Sequence, residues 1–282
     1  MKREASRLYL LAALLLLPIV GGACGGNGTP TLELFVGSAT KPATEEVAKL
    51  FEEKYGVNLE LHFGGSGAML SQMKLTGRGD IYFPGSSDFM EKAKKDGLVL
   101  PESERIVVYL IPAINVQKGN PKNIQSLEDL ARPDVTFAIA DPETVCVGLY
   151  AAEILDKAGL SQSIRAKIAT YAESCAKTAG IVALKTVDAV IGWRVFEYWA
   201  PEEIETVSLG PDQIPRIGYV PIAINESSKQ GALAQQFIDF VTSDEGKAIY
   251  AKWHYLTSEE EARQFAPQAT LGGEWELPEG WR

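Results

Sequence analysis

A junction of strand, glycine–serine turn and helix occurs twice near the start of this chain, and it restricts the fold more than any other feature. In Val57-Asn58-Leu59-Glu60-Leu61-His62-Phe63 apolar and polar side chains alternate as on a half-buried strand. The run breaks at Gly64-Gly65, and from Ala68 a helix is predicted, with Met69, Leu70 and Met73 apolar. The first turn of a helix leaves backbone N–H groups without partners and carries a partial positive charge, so such a turn suits an anion. Ser66 adds a hydroxyl donor there without adding charge; taken alone, it also reads as a plain N-cap after a turn. The same grammar stands upstream. Leu32–Val36 is a short apolar strand, followed by Gly37-Ser38-Ala39-Thr40 and an amphipathic helix with Val47, Leu50, Phe51 and Tyr55 on its apolar face. Two successive β–loop–α units, each with a serine where the helix begins, predict an α/β sheet whose ligand crevice lies at the strand ends.

With 282 residues, 46% of them apolar, the chain can bury one large core or two ordinary ones. Its formal net charge of −10 argues against nucleic acid as a partner and against electrostatic attachment to anionic membranes. An anion site must therefore act through local donors against the overall field. The two histidines, His62 and His254, are far apart in sequence and no C-x-x-C occurs, so neither a protein-ligated metal nor a cofactor is expected. At the N-terminus, Lys2, Arg3 and Arg7 precede the apolar run Leu8–Val20, which is too short to span a bilayer and reads as a signal peptide. Gly21-Gly22-Ala23-Cys24 and a Gly-rich stretch follow, which resembles a bacterial lipoprotein signal, although Gly21 stands where leucine is usual. The expectation is cleavage after residue 23, lipidation of Cys24, a tether over 24–30, and a periplasmic or cell-surface location on a lipid anchor. The other cysteines, Cys146 and Cys175, would then sit in an oxidising compartment. A disulfide between them would add roughly 3–4 kcal/mol; two buried free thiols are the alternative.

Further along, Ile81-Tyr82-Phe83 ends in Pro84-Gly85-Ser86-Ser87-Asp88, where Asp88 reads as a helix cap. Arg105–Val116 is an extended run long enough to leave one domain and enter another, and Val135–Ala140 is a buried strand. A third strand-to-helix loop, Asp141–Gly148, precedes a helix predicted to start near Tyr150. Helices are predicted near 161–176, strands over Ala189–Trp193, Glu205–Leu209 and Arg216–Ile224, and helices over Ser228–Trp253. These elements predict two β/α lobes joined by a two-strand hinge, with lobe I over 31–112 and 221–282 and lobe II over 113–220, and a cleft that closes by domain motion.

In order and spacing, several segments resemble the molybdate-binding periplasmic proteins of ABC importers. They are Gly37-Ser38-Ala39, Gly65-Ser66-Gly67, Asp80-Ile81-Tyr82-Phe83, Lys118-Gly119-Asn120-Pro121, Asp141-Pro142-x-Thr144-Val145-x-x-Gly148-x-Tyr150-Ala151, Val187-Asp188-Ala189, Tyr219 with Pro221, and Phe237–Gly246. The resemblance implies a type II periplasmic-binding-protein fold, a monomer that delivers a tetrahedral oxyanion (molybdate or tungstate) to an ABC permease, and no catalysis. It also implies neutral ligands: the hydroxyls of Ser38 and Ser66, backbone donors at Val147 and Gly192, and the hydroxyl of Tyr219. Departures from the family pattern bear on which anion is held. Cys146 replaces a usual Pro, Leu149 stands where Arg or Ile is common, and Gly192-Trp193 replaces a Val-Tyr-like pair. A related branch holds tungstate or molybdate with extra carboxylate ligands, for which Asp141, Glu143 and Asp188 are the candidates here; as turn and cap residues they have a simpler role. Two rivals stand beside this expectation. Gly64-Gly65-Ser66-Gly67-Ala68 nearly matches a hydrolase nucleophile elbow, for which His254 would be the only later histidine. Another small anion, such as sulfate, thiosulfate or a carboxylate, is the second, and for a carboxylate Arg194 and Arg216 are the arginines to watch.

Overall fold

The computed structural model describes residues 28–281, so the leader and Cys24 lie outside the described residues. The repeated junction folds as β1 (Thr31–Gly37), α1 (Lys41–Tyr55), β2 (Asn58–Gly64), α2 (Ser66–Thr76), β3 (Ile81–Phe83) and α3 (Ser87–Lys95). β1 lies between β2 and β3 and is parallel to both, with Gly37 opposite Gly64. This register brings the two serine turns out side by side at the carboxyl end of the sheet. α1 ends at Gly56, whose φ of 65° is a left-handed conformation that glycine takes without strain. Its apolar face is held by Phe51, which meets Phe237 edge-on at 5.1 Å.

The run 105–116 divides between two sheets as β4 (Arg105–Leu110) and β5 (Pro112–Gln117), with Ile111 between them. The second lobe continues with β6 (Phe137–Ala140), α4 (Cys146–Lys157), α5 (Ser161–Arg165), β7 (Ile168–Ala172), α6 (Cys175–Ala183), β8 (Ala189–Trp193), α7 (Phe196–Trp199) and β9 (Ile204–Ser208). Its sheet runs β7-β6-β8-β5-β9. The chain then returns to the first sheet as β10 (Arg216–Ile224), antiparallel to β3 and β4, and adds α8 (Gly231–Thr242), α9 (Asp244–Lys252), α10 (Glu259–Arg263) and the short β11 (Thr270–Leu271) beside β10.

The structure corrects the expected layout in four places. The return crossing falls within 209–215 rather than at 220, because β10 is already paired with β11 at Arg216 and with β4 at Gly218. The tail does not stay with lobe I: Ala262, Ala266, Leu277 and Trp281 are buried in the core that holds Leu130, Leu155 and Ile191. Residues 161–176 contain a strand, β7, between two helices. β7 is an edge strand with Ala169, Thr170 and Tyr171 exposed, so it shows no apolar alternation, and its alanine- and lysine-containing surroundings favour helix. Finally, α4 begins at Cys146, which puts Val147 in its first turn. Among the described residues no helix is long and apolar enough to cross a membrane.

Candidate functional site

Ser38 and Ser66 are both buried, at 2% and 1% exposure, at the ends of neighbouring strands. Each oxygen is already an acceptor. Ser66 Oγ accepts the Gly85 N–H at 2.9 Å, and Ser38 Oγ accepts the Ala176 N–H, from the first turn of α6, at 3.2 Å. A hydroxyl that accepts from an amide still has its own O–H to donate, and the accepted bond polarises it for that purpose. Val147 is fully buried at the start of α4. Cys146 beside it packs across the cleft, since a Cβ on Gly85 would come within 2.6 Å of Cys146 Sγ. The loops after β1, β2 and β3 thus meet the first turns of α4 and α6.

The lobes are shut around this point. The Gly67 N–H donates to the Thr144 carbonyl across the cleft at 2.8 Å. A Cβ on Gly65 would lie 2.8–2.9 Å from the carbonyl oxygens of Glu173 and Thr144, so only glycine allows this approach. None of the groups that meet here is charged. Burial, followed by contact with Cys175, pushes the Cys146 thiol well above its ordinary range, and it stays neutral. Converging amide and hydroxyl donors in a dry, uncharged environment are suited to a compact anion, because charge-assisted hydrogen bonds strengthen where water is excluded.

Of the five residues expected to bind, Ser38, Ser66 and Val147 lie on turns and a helix start that meet, while Gly192 and Tyr219 have other neighbours. Gly192 is interior to β8, facing Asn115 and Phe196. The Tyr219 ring lies against Gly272, and its hydroxyl feels Glu104 and Glu91 after the larger effect of burial, which raises its pKa. Two amides that were not expected here, Gly85 and Ala176, donate to the serine oxygens. A signal for each was present: Pro84-Gly85-Ser86-Ser87 repeats the glycine–serine grammar, and Ser174 is the N-cap of α6, accepting from the Lys177 N–H. Cys146 and Cys175 are free thiols rather than a disulfide, with sulfurs in contact at 3.4 Å, a proximity that sequence separation cannot reveal. Trp193 is buried with its Nε1–H unpartnered, edge-on to Tyr150 at 5.0 Å, and the Tyr150 hydroxyl is likewise unpartnered.

The other candidates are occupied elsewhere. Asp141 caps the Glu143 N–H, and Asp188 accepts from the Thr136 N–H and hydroxyl. His254 stacks on Tyr198 at 3.7 Å, and no histidine bonds Ser66, so the elbow lacks its base. Arg194 lies over Phe265, and Arg216 is engaged by Asp88 and Glu153. One grouping was not expected: Glu33, Glu60 and His62, brought together by the β1–β2 register, could hold a metal ion, although Arg78 already pairs with Glu33 at 3.1 Å.

Residues 32–256 match the family of bacterial extracellular solute-binding proteins. The chain belongs to that family. Among relatives of this solute-binding protein, the molybdate-binding protein ModA of Rhodobacter capsulatus is 24% identical over 223 residues, 77% of this chain and 84% of that one. A Bacillus subtilis protein described as an ABC transporter substrate-binding lipoprotein is 23% identical over 253 residues, 87% of this chain and 96% of the other. The fold matches the periplasmic molybdate-binding protein of Azotobacter vinelandii, with a TM-score of 0.71 at 18% identity over 81% of this chain and all of that one. It matches the sulfate-binding protein SubI of Mycobacterium tuberculosis equally well, with a TM-score of 0.72 at 16% identity over 86% and 93%.

Proposed function

We propose that this solute-binding protein captures a tetrahedral oxyanion, molybdate or tungstate, between its lobes and delivers it to an ABC permease, held at the membrane surface through lipidated Cys24. The observation that carries the proposal is the pair of buried serines. Each accepts a hydrogen bond from an amide of a different segment, so both hydroxyl hydrogens are left to donate to a ligand in an uncharged setting. The backbone donors of the Val147 turn complete the set, and the ligand carries the only full charge. A ligand held without lysine or arginine can be bound tightly when the lobes shut and released when water re-enters. Relatives named for molybdate and for lipoprotein character support both halves of the proposal.

Sulfate is the second reading, favoured by the equal fold match to a sulfate-binding protein. Titration calorimetry of the protein from residue 24 onward, with molybdate, tungstate, sulfate and phosphate in turn, separates the two. Tight binding of molybdate and tungstate with weak sulfate is the expected result. Tight sulfate with weak molybdate would replace the ligand, and no binding of any of the four would remove the oxyanion reading.

A further inference from the structure

Behind the serine cluster lies a second polar group that the donor scheme does not use. Arg216 is the first residue of β10, directly after the return crossing, and is 4% exposed. Its Nε donates to Glu153 Oε2 at 2.6 Å, and its Nη1 donates to Asp88 Oδ1 at 3.0 Å and to the Gly273 carbonyl at 3.0 Å. The guanidinium carbon sits 4.3 Å from the centre of the Tyr150 ring. Burial opposes the charge on Arg216, but Tyr150, Asp88 and Glu153 together outweigh it, so the guanidinium remains protonated.

The placement of the two carboxylates gives this cluster its meaning. Glu153 and Tyr150 belong to α4, whose first turn carries Cys146 and Val147 on the lobe II side of the site. Asp88 belongs to α3, whose preceding loop supplies the Gly85 N–H on the lobe I side. A helix is stiff over two turns, so holding Glu153 holds the α4 start about 10 Å away along its axis. We propose that Arg216 is a positioning residue for solute capture, pinning α3 to α4 through Asp88 and Glu153 as an interlobe latch that favours the closed, binding-competent state.

The latch is poised to be reversible. Arg216 Nη2 and Asp88 Oδ2 are buried without partners, so its network is only partly satisfied and water can compete for it when the lobes part. Apparent affinity falls in proportion to the fraction of molecules that are binding-competent, so weakening the latch weakens binding without touching a single ligand donor.

The test uses the mature protein carrying Glu153→Gln or Arg216→Lys, each checked for cooperative thermal unfolding. Small-angle scattering reads the unliganded shape, and calorimetry with molybdate reads affinity. Glu153→Gln keeps the shape and one acceptor oxygen, so it carries the test if Arg216→Lys does not fold. Expected are a larger unliganded radius of gyration and about a tenfold weaker Kd, with the saturated complex returning to the wild-type radius. Folded Glu153→Gln with unchanged radius and Kd overturns the latch, and so does an opened variant with unchanged Kd. The affinity arm rests on the oxyanion reading. If wild-type protein binds no oxyanion, that reading fails by itself, while the unliganded radius still decides whether the latch exists.

Discussion

Replacing Ser66 by alanine removes one oxygen that serves two neighbours. In the unliganded protein the buried Gly85 N–H loses its acceptor at 2.9 Å, and an unsatisfied buried donor costs about 1–3 kcal/mol of stability. In the complex the anion loses a hydroxyl donor. A hydrogen bond to a charged group contributes about 1.5–3 kcal/mol net, which at about 1.4 kcal/mol per factor of ten is roughly a tenfold to hundredfold loss of affinity. The two effects partly offset each other, because the freed Gly85 N–H can turn to the anion, so the lower half of that range is expected for Ser66→Ala. Ser38 Oγ accepts from Ala176 across the cleft at 3.2 Å, so Ser38→Ala also removes a contact that closes the lobes and belongs in the upper half. Calorimetry with molybdate measures the affinities, and thermal unfolding checks that both variants stay folded. Affinities within twofold of wild type for both variants, against a tightly binding wild type, would refute the donor scheme.

Three further outcomes follow from the same geometry. Gly85→Ala places a Cβ within 2.6 Å of Cys146 Sγ and 2.8 Å of Ala39 Cβ; overpacking of this kind costs about 1–3 kcal/mol, and most of it is expected as weakened anion affinity because the contact with Cys146 exists only when the lobes are shut. Tyr219→Phe is expected to keep the affinity within twofold, since its ring packs on Gly272 and its hydroxyl faces Ser87; a tenfold loss in calorimetry would place Tyr219 in the site. Burial raises the Cys146 pKa, so its reactive thiolate is scarce at pH 8 and increases only as pH rises toward that raised value. Native protein should therefore resist iodoacetamide, with both Cys146 and Cys175 labelled only after unfolding, and rapid native labelling of Cys146 by mass spectrometry would contradict the buried thiol.

Local pattern determined much of this protein. The alternation in 57–63, the glycine–serine turns at Ser38 and Ser66 and the amphipathic face of α1 are short-range features, and the corresponding elements form within a residue or two of where they were expected. The change of sheet inside 105–116 was also legible, because an extended run of that length outlasts a single strand. Tertiary structure decided the rest. Two amides that back the serines were not expected: Gly85, which the loop after β3 sets beside Ser66 within one lobe, and Ala176, which only the meeting of the two lobes brings to Ser38. The same holds for the Cys146–Cys175 contact and for Arg216, whose partners lie 63 and 128 residues away. Helix and strand periodicity are set by neighbours along the chain, whereas a binding site between lobes depends on distances that no periodicity encodes. β7 was missed for a related reason: an exposed edge strand is held by its pairing with β6 rather than by an apolar pattern of its own.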